Sequence, residues 1–139
     1  MANKLISKGS KVIFLDNLER GKKKFLSKKV KFYKCDLRFQ NSKIKKYYKN
    51  IDIVFHLASK VGSMQYYLNN SFDVFNDNLS IDNNVLQEAI NSKVKVFFYA
   101  SSAHVYPSEK KLIKKKFIES DDYPYRSSIS YGLAKMITE

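Results

Sequence analysis

The sequence predicts an α/β fold, a parallel sheet with helices packed on its faces, and three observations carry that expectation. Short apolar runs rich in β-branched and aromatic residues alternate with helix-compatible stretches. The runs are nearly continuous rather than alternating, which marks strands buried on both faces. Between two of them, from Asp73 to Ile90, apolar residues recur at helical spacing.

Taken in order, Ala2 to Lys8 resembles the last two turns of a helix, with Leu5 and Ile6 inward and Gly9 placed to stop it. Lys11 to Asp16 is a short apolar run ended by an acid, and it predicts a strand. Two further strands are expected at Val30 to Cys35 and Ile51 to Ala58, separated by the polar, helix-compatible stretch Asn41 to Tyr48. In the long helix, Val74, Phe75, Asn78, Ile81, Val85, Leu86 and Ala89 share the inward face, so Asn78 requires hydrogen-bond partners there. Val94 to Ser101 is the strongest strand. A polar connection from Tyr106 to Ser130 then leads to a last helix beginning near Tyr131. No internal repeat or low-complexity linker is visible, and four glycines are too few for a flexible tether.

A chain of 139 residues with 44% hydrophobic and 14% aromatic content can bury the core of one globular domain. The net charge of +13 comes largely from short runs, Lys22 to Lys24, Lys28 to Lys29, Lys45 to Lys46 and Lys114 to Lys116. These fall between or beside apolar segments and read as solvated faces. A non-catalytic basic module that binds nucleic acid is the competing reading. The joint abundance of Lys, Asn, Ile, Tyr and Phe is what an AT-rich coding bias produces without selection for such binding. One cysteine, Cys35, excludes an internal disulfide and fits a reducing, cytoplasmic setting, with buried packing as its expected role. No apolar stretch approaches the roughly 18 to 20 residues of a membrane helix, so no membrane partner is expected. No His, Cys or acidic cluster has metal-ligand spacing.

Asp16, at the end of its strand, has the character of the acid that holds the adenosine ribose in dinucleotide-binding domains. That acid lies about 20 residues beyond a glycine-rich phosphate turn, and counting back from Asp16 runs ahead of Met1. The first strand and its turn are therefore expected to be absent. Only four residues follow Lys135, so the C-terminal part is expected to be absent as well. Residues 1–139 thus read as a partial dinucleotide-binding domain. A turn that would supply N–H groups to a pyrophosphate is missing, so weak cofactor affinity and an inactive isolated chain are expected.

Tyr131-Gly132-Leu133-Ala134-Lys135 places a phenol and an ammonium four residues apart on one helix face. A cation beside a phenol lowers its pKa from about 10, which suits proton exchange with a hydroxyl near neutral pH. The spacing alone is a weak signal, equally compatible with a surface helix. It gains weight from Ala100-Ser101-Ser102-Ala103-His104-Val105-Tyr106-Pro107, directly after the strongest strand.

Together these motifs resemble the extended short-chain dehydrogenase/reductases, the NAD-dependent epimerase/dehydratase family. The resemblance extends through Leu15-Asp16-Asn17, Cys35-Asp36-Leu37-Arg38, His56-Leu57-Ala58-Ser59, Val61-Gly62-Ser63-Met64 and Asn78. It implies a Rossmann-like doubly wound parallel sheet, incomplete here, that binds NAD and a nucleotide-sugar substrate. It further implies a catalytic triad of Ser102, Tyr131 and Lys135, in which Ser102 orients a sugar hydroxyl and Tyr131 takes its proton. Lys135 would lower the Tyr131 pKa and hold the nicotinamide ribose. Asp16 and Asn17 would meet the adenosine ribose, Asp36 and Leu37 the adenine edge, and Leu57, Ala58, Ser59 and Asn78 would lie along the cofactor. The implied reaction is transient oxidation and re-reduction of a sugar carbon by an epimerase, with dehydratase and reductase as alternatives and a homodimer in the parent protein. His104 stands where one branch of the family carries a cysteine acid/base. A histidine can move protons at that position, and a substrate-contacting or structural role is the alternative. Readings of His56 as a packed strand residue, Ser101 as scaffolding, and Met64, Tyr66 and Tyr67 as core or sugar-facing loop complete the set.

Overall fold

The computed structural model describes residues 1–39, 42–105 and 130–139, with Ser42 and Lys43 described in backbone only. The expectations for Tyr106, Pro107, Lys114 to Lys116 and the rest of the connection up to residue 129 lie outside the described residues.

Helix α1 (Ala2–Ser7) opens the chain, and Gly9 ends it as expected. The Gly9 N–H bonds Ile6 O at 3.0 Å and the Ser10 N–H bonds Leu5 O at 3.1 Å. This pair of bonds needs a residue with positive φ, and Gly9 at φ 86° supplies it without a Cβ penalty. Then follow strand β1 (Ile13–Asp16), a 3-10 turn (Lys23–Phe25), strand β2 (Lys31–Lys34), helix α2 (Ser42–Tyr48) and strand β3 (Ile53–His56). Helix α3 (Met64–Asn69), helix α4 (Ser71–Asn91), strand β4 (Val96–Tyr99), a second 3-10 turn (Ala103–Val105) and helix α5 (Ser130–Thr138) complete the order. Each strand is shorter than its apolar run. The flanking residues Cys35, Ala58 and Val94 pack against the core instead of pairing with a neighbour.

Met64, Tyr66 and Tyr67 fall in a helix, one that the apolar pattern did not announce. Ser63 caps it, its hydroxyl accepting the Tyr66 N–H at 3.2 Å. Tyr67 is buried while Met64 is half exposed, so the segment is part core and part surface.

All pairing is parallel. Ile13 to Asp16 run in register with Lys31 to Lys34, and Ile53 to His56 with Val96 to Tyr99. A single continuous sheet was expected, and the structure corrects this to two separate two-stranded pairs, β1 with β2 and β3 with β4. In a doubly wound sheet of spatial order 3-2-1-4-5, the second and third strands pair and so do the fourth and fifth. The break between β1 and β3 thus coincides with the position of the expected first strand.

Both pairs still share one core. Leu15 of β1, Val54 of β3 and Phe97 of β4 pack on a cluster of Leu37, Ile44, Tyr48, Ile81, Val85 and Ala89, drawn from α2, α4 and the residues after β2. At about 0.8 kcal/mol per buried CH₂, this burial rather than strand pairing joins the halves. The opposite face of β3 and β4, with Ile53, Phe55, Val96 and Phe98, is exposed. Among the described residues no helix is long and apolar enough to cross a membrane.

Candidate active site

The loop after β3 is held by one buried side chain of α4. Asn78 is fully buried; its Oδ1 accepts the Ser59 hydroxyl at 2.6 Å and the Lys60 N–H at 2.8 Å. Its Nδ2 donates to Lys60 O at 3.0 Å and to Val74 O at 2.7 Å. Every polar atom of the amide is thereby satisfied, which answers the demand that an inward asparagine made of the sequence. A second tie joins this loop to the one after β1, where Arg20 Nη1 donates to Val61 O at 2.7 Å and Lys60 pairs with Glu19. The carboxyl ends of β1 and β3 therefore lie side by side.

Tyr131, in the first turn of α5, reaches into this region. Its hydroxyl lies 3.4 Å from Ser59 Oγ, its ring stacks on Tyr67 at 5.4 Å, and His104 stands edge-on at 6.2 Å. Burial pushes the Tyr131 phenol above its ordinary range, and the hydrogen bond with Ser59 pulls the other way without overcoming it.

Lys135 does not do what the spacing promised. It shares a helix face with Tyr131, yet its ammonium lies 3.1 and 3.2 Å from the two carboxylate oxygens of Asp82 and 4.7 Å from the Tyr99 ring centre. Tyr131 is accordingly raised, and the expectation that Lys135 lowers it fails in this structure. The physical reason is the partner: Asp82 is a full charge buried beneath α5, whereas the phenol is neutral. His56 Nε2 sits 2.7 Å from Asp82 Oδ1, Tyr99 donates to Oδ2 at 2.7 Å, and Thr138 donates to Oδ2 at 3.3 Å. Burial alone would raise the Asp82 carboxyl, but the His56 contact, the Lys135 cation and the Tyr99 hydroxyl together hold it below the ordinary carboxylate range. His56 is a packed strand residue, as read from the sequence, with Asp82 as a partner the sequence did not reveal. The signal was present in outline, since Asp82 follows Asn78 by one helical turn on the inward face.

Ser102 lies three residues beyond β4 and its Oγ accepts the His104 N–H at 3.2 Å. Among the described residues, no hydrogen bond joins Ser102 to Tyr131 or Lys135. Ser101 is bonded to Glu139 rather than to backbone.

The other end of the site is built at the ends of β1 and β2. A cavity of about 510 Å³ is lined by Asn17, Glu19, Cys35, Asp36 and Arg38, with Lys34 at its edge. Asp36 and Asp77 clamp Arg38, at 2.5 and 3.0 Å, and the guanidinium holds the Asp36 carboxyl below its ordinary range. Leu37 turns its side chain into the core and its carbonyl accepts from Asn84 at 2.9 Å, so only its N–H is offered to the cavity. The Asp16 carboxylate accepts the Leu18 N–H at 2.6 Å and lies against Gly21, where a Cβ would approach it to 2.9 Å. Leu57 is half exposed and Ala58 packs on the core. An open cavity at the carboxyl ends of parallel strands, with carboxylates at its wall, fits the adenosine half of a dinucleotide. Among the described residues no cluster of His, Cys, Asp or Glu could hold a metal ion.

Comparison with known proteins agrees with this geometry. GDP-mannose 3,5-epimerase 1 of Oryza sativa subsp. indica is 38% identical over 109 residues, covering 78% of this chain and 29% of that relative. The chain thus spans less than a third of that protein's length. Among solved structures, a UDP-galactose 4-epimerase aligns over 99% of this chain and 44% of its own, with TM-score 0.78 and 27% identity. UDP-glucose 4-epimerase of Thermus thermophilus, solved in complex with NAD, aligns over 97% of this chain and 42% of its own, with TM-score 0.80. At 24% identity this last likeness speaks for the fold alone. The sequence model described as the NAD dependent epimerase/dehydratase family matches residues 1–139, and the chain belongs to that family.

Proposed function

We propose that this chain forms the adenosine-binding half and the acid/base helix of an NAD-dependent nucleotide-sugar epimerase. The observation that carries the reading is the meeting of the Tyr131 phenol with Ser59 at the carboxyl end of β3, beside the cavity that ends β1 and β2. Asn17 and the Asp36 and Leu37 backbone would receive the adenine and its ribose, with Asp16 favouring a free 2′-hydroxyl over a 2′-phosphate. NAD supplies, when bound, a hydride acceptor for a sugar carbon. Tyr131 exchanges the proton of the hydroxyl on that carbon, Ser102 orients the hydroxyl, and the Tyr67 ring excludes water from one face of the phenol. General acid–base action of this kind contributes about 10² to 10⁴ in rate. His104, edge-on to Tyr131, adds a second proton-transfer group, which favours chemistry at more than one sugar carbon.

The reading is tested in a chimera in which this chain replaces the matching segment of the rice relative. Turnover of GDP-mannose is expected, with a loss of about 10² or more on Tyr131→Phe. Equal turnover by the chimera with and without Tyr131→Phe would end the assignment.

A further inference from the structure

Family membership leaves Asp82 without a role, yet it is the centre of the most heavily bonded buried cluster among the described residues. Three elements converge on it: His56 from β3, Tyr99 from β4, and Lys135 with Thr138 from α5. Asp82 has no exposed surface and Lys135 is 1% exposed. The pair is therefore an ion pair taken out of water, where a cation can neither be hydrated nor drift between partners without cost.

We propose that Asp82 is a positioning residue that holds the Lys135 ammonium away from the Tyr131 phenol and so sets how readily that phenol gives up its proton. The inference rests on the reading of Tyr131 as the acid/base. Lys135 has one long stem and two possible destinations on its own helix face. Asp82 offers it a bidentate anion at 3.1 and 3.2 Å; Tyr131 offers a neutral hydroxyl already beside Ser59. While Lys135 stays on Asp82, its charge is cancelled at close range and the phenol keeps the elevated pKa that burial gives it. Freed from Asp82, the same ammonium would stand one helical turn from the phenol and stabilise phenolate. The titratable groups that face this pair are His56, Tyr99 and, near Tyr99, Glu139; those that face Tyr131 are Tyr67 and His104.

The test is a pH titration of the full 139-residue chain carrying tyrosine labelled with ¹³C at the ring carbon that bears the hydroxyl, with the Tyr131 signal assigned by Tyr131→Phe. In Asp82→Asn, which keeps an acceptor for His56 and Tyr99, the Tyr131 midpoint is expected to fall by about 1 unit or more. In the double variant Asp82→Asn with Lys135→Met the fall is expected to vanish. An unchanged midpoint in Asp82→Asn overturns the proposal. A fall that persists in the double variant also overturns it, because the effect would then be direct repulsion by Asp82 rather than release of Lys135. Should Asp82→Asn fail to fold, the unsubstituted chain decides: proton contacts from Lys135 Hε to the Tyr99 ring support the proposal, and contacts to the Tyr131 ring refute it. Neither readout involves turnover, so the outcome is separable from failure of the epimerase reading.

Discussion

Replacing Asn78 with alanine removes four hydrogen bonds at once. The bond to Val74 O is an addition to a carbonyl that keeps its helical partner, so its loss weighs little. The other three leave the Lys60 N–H, the Lys60 carbonyl and the Ser59 hydroxyl without partners in a half-buried loop. At about 1 kcal/mol for each bond, and more where a buried group finds no water, the loss is about 2 to 4 kcal/mol. Against a domain stability of about 5 to 15 kcal/mol this is a large fraction. Urea unfolding of Asn78→Ala should show a lowered midpoint with an unchanged slope, because the surface exposed on unfolding is the same. A loss below about 1 kcal/mol would refute the claim that this one amide fixes the loop carrying Ser59.

Acid should act through Asp82. Its folded-state pKa is depressed, so its contribution is fully present above the ordinary carboxylate pKa and is lost as pH falls through the folded value. Thermal unfolding of the chain should therefore weaken below about pH 4, and Asp82→Asn should flatten that part of the profile. Gly21→Ala should displace the Asp16 carboxylate, which an added Cβ would approach to 2.9 Å, and NAD binding followed by calorimetry should weaken while the fold persists. Gly62→Ala drives its new Cβ into the Tyr66 ring and should cost about 1 to 3 kcal/mol of stability in urea.

The elements most legible in the sequence were those whose signal is local. Phe14, Val54 and Phe97 sit in continuous apolar runs, and a strand buried on both faces has no other pattern to show. Gly9 announced a helix end because the turn needs positive φ. Asn78 announced its own partners by being polar on an inward face. Helix α3 was hidden because six residues, MQYYLN, are too few for a period to emerge, although Ser63 in capping position was a usable sign. The destination of Lys135 was hidden for a different reason. Spacing assigns a residue to a helix face, but a long flexible stem follows the strongest nearby charge, and Asp82 becomes near only when β3, β4 and α5 are brought together. The division of the sheet into two pairs was likewise a matter of neighbours, since no strand's own sequence states what lies beside it.

For a dinucleotide site at the carboxyl ends of these strands, the decisive experiment is amide chemical-shift mapping of the chain titrated with NAD. Changes centred on Asn17, Asp36, Leu37 and Ser59 are expected, at millimolar ligand and little affected by salt. Changes spread along the lysine runs and erased by salt would contradict that site and point to a polyanion surface instead.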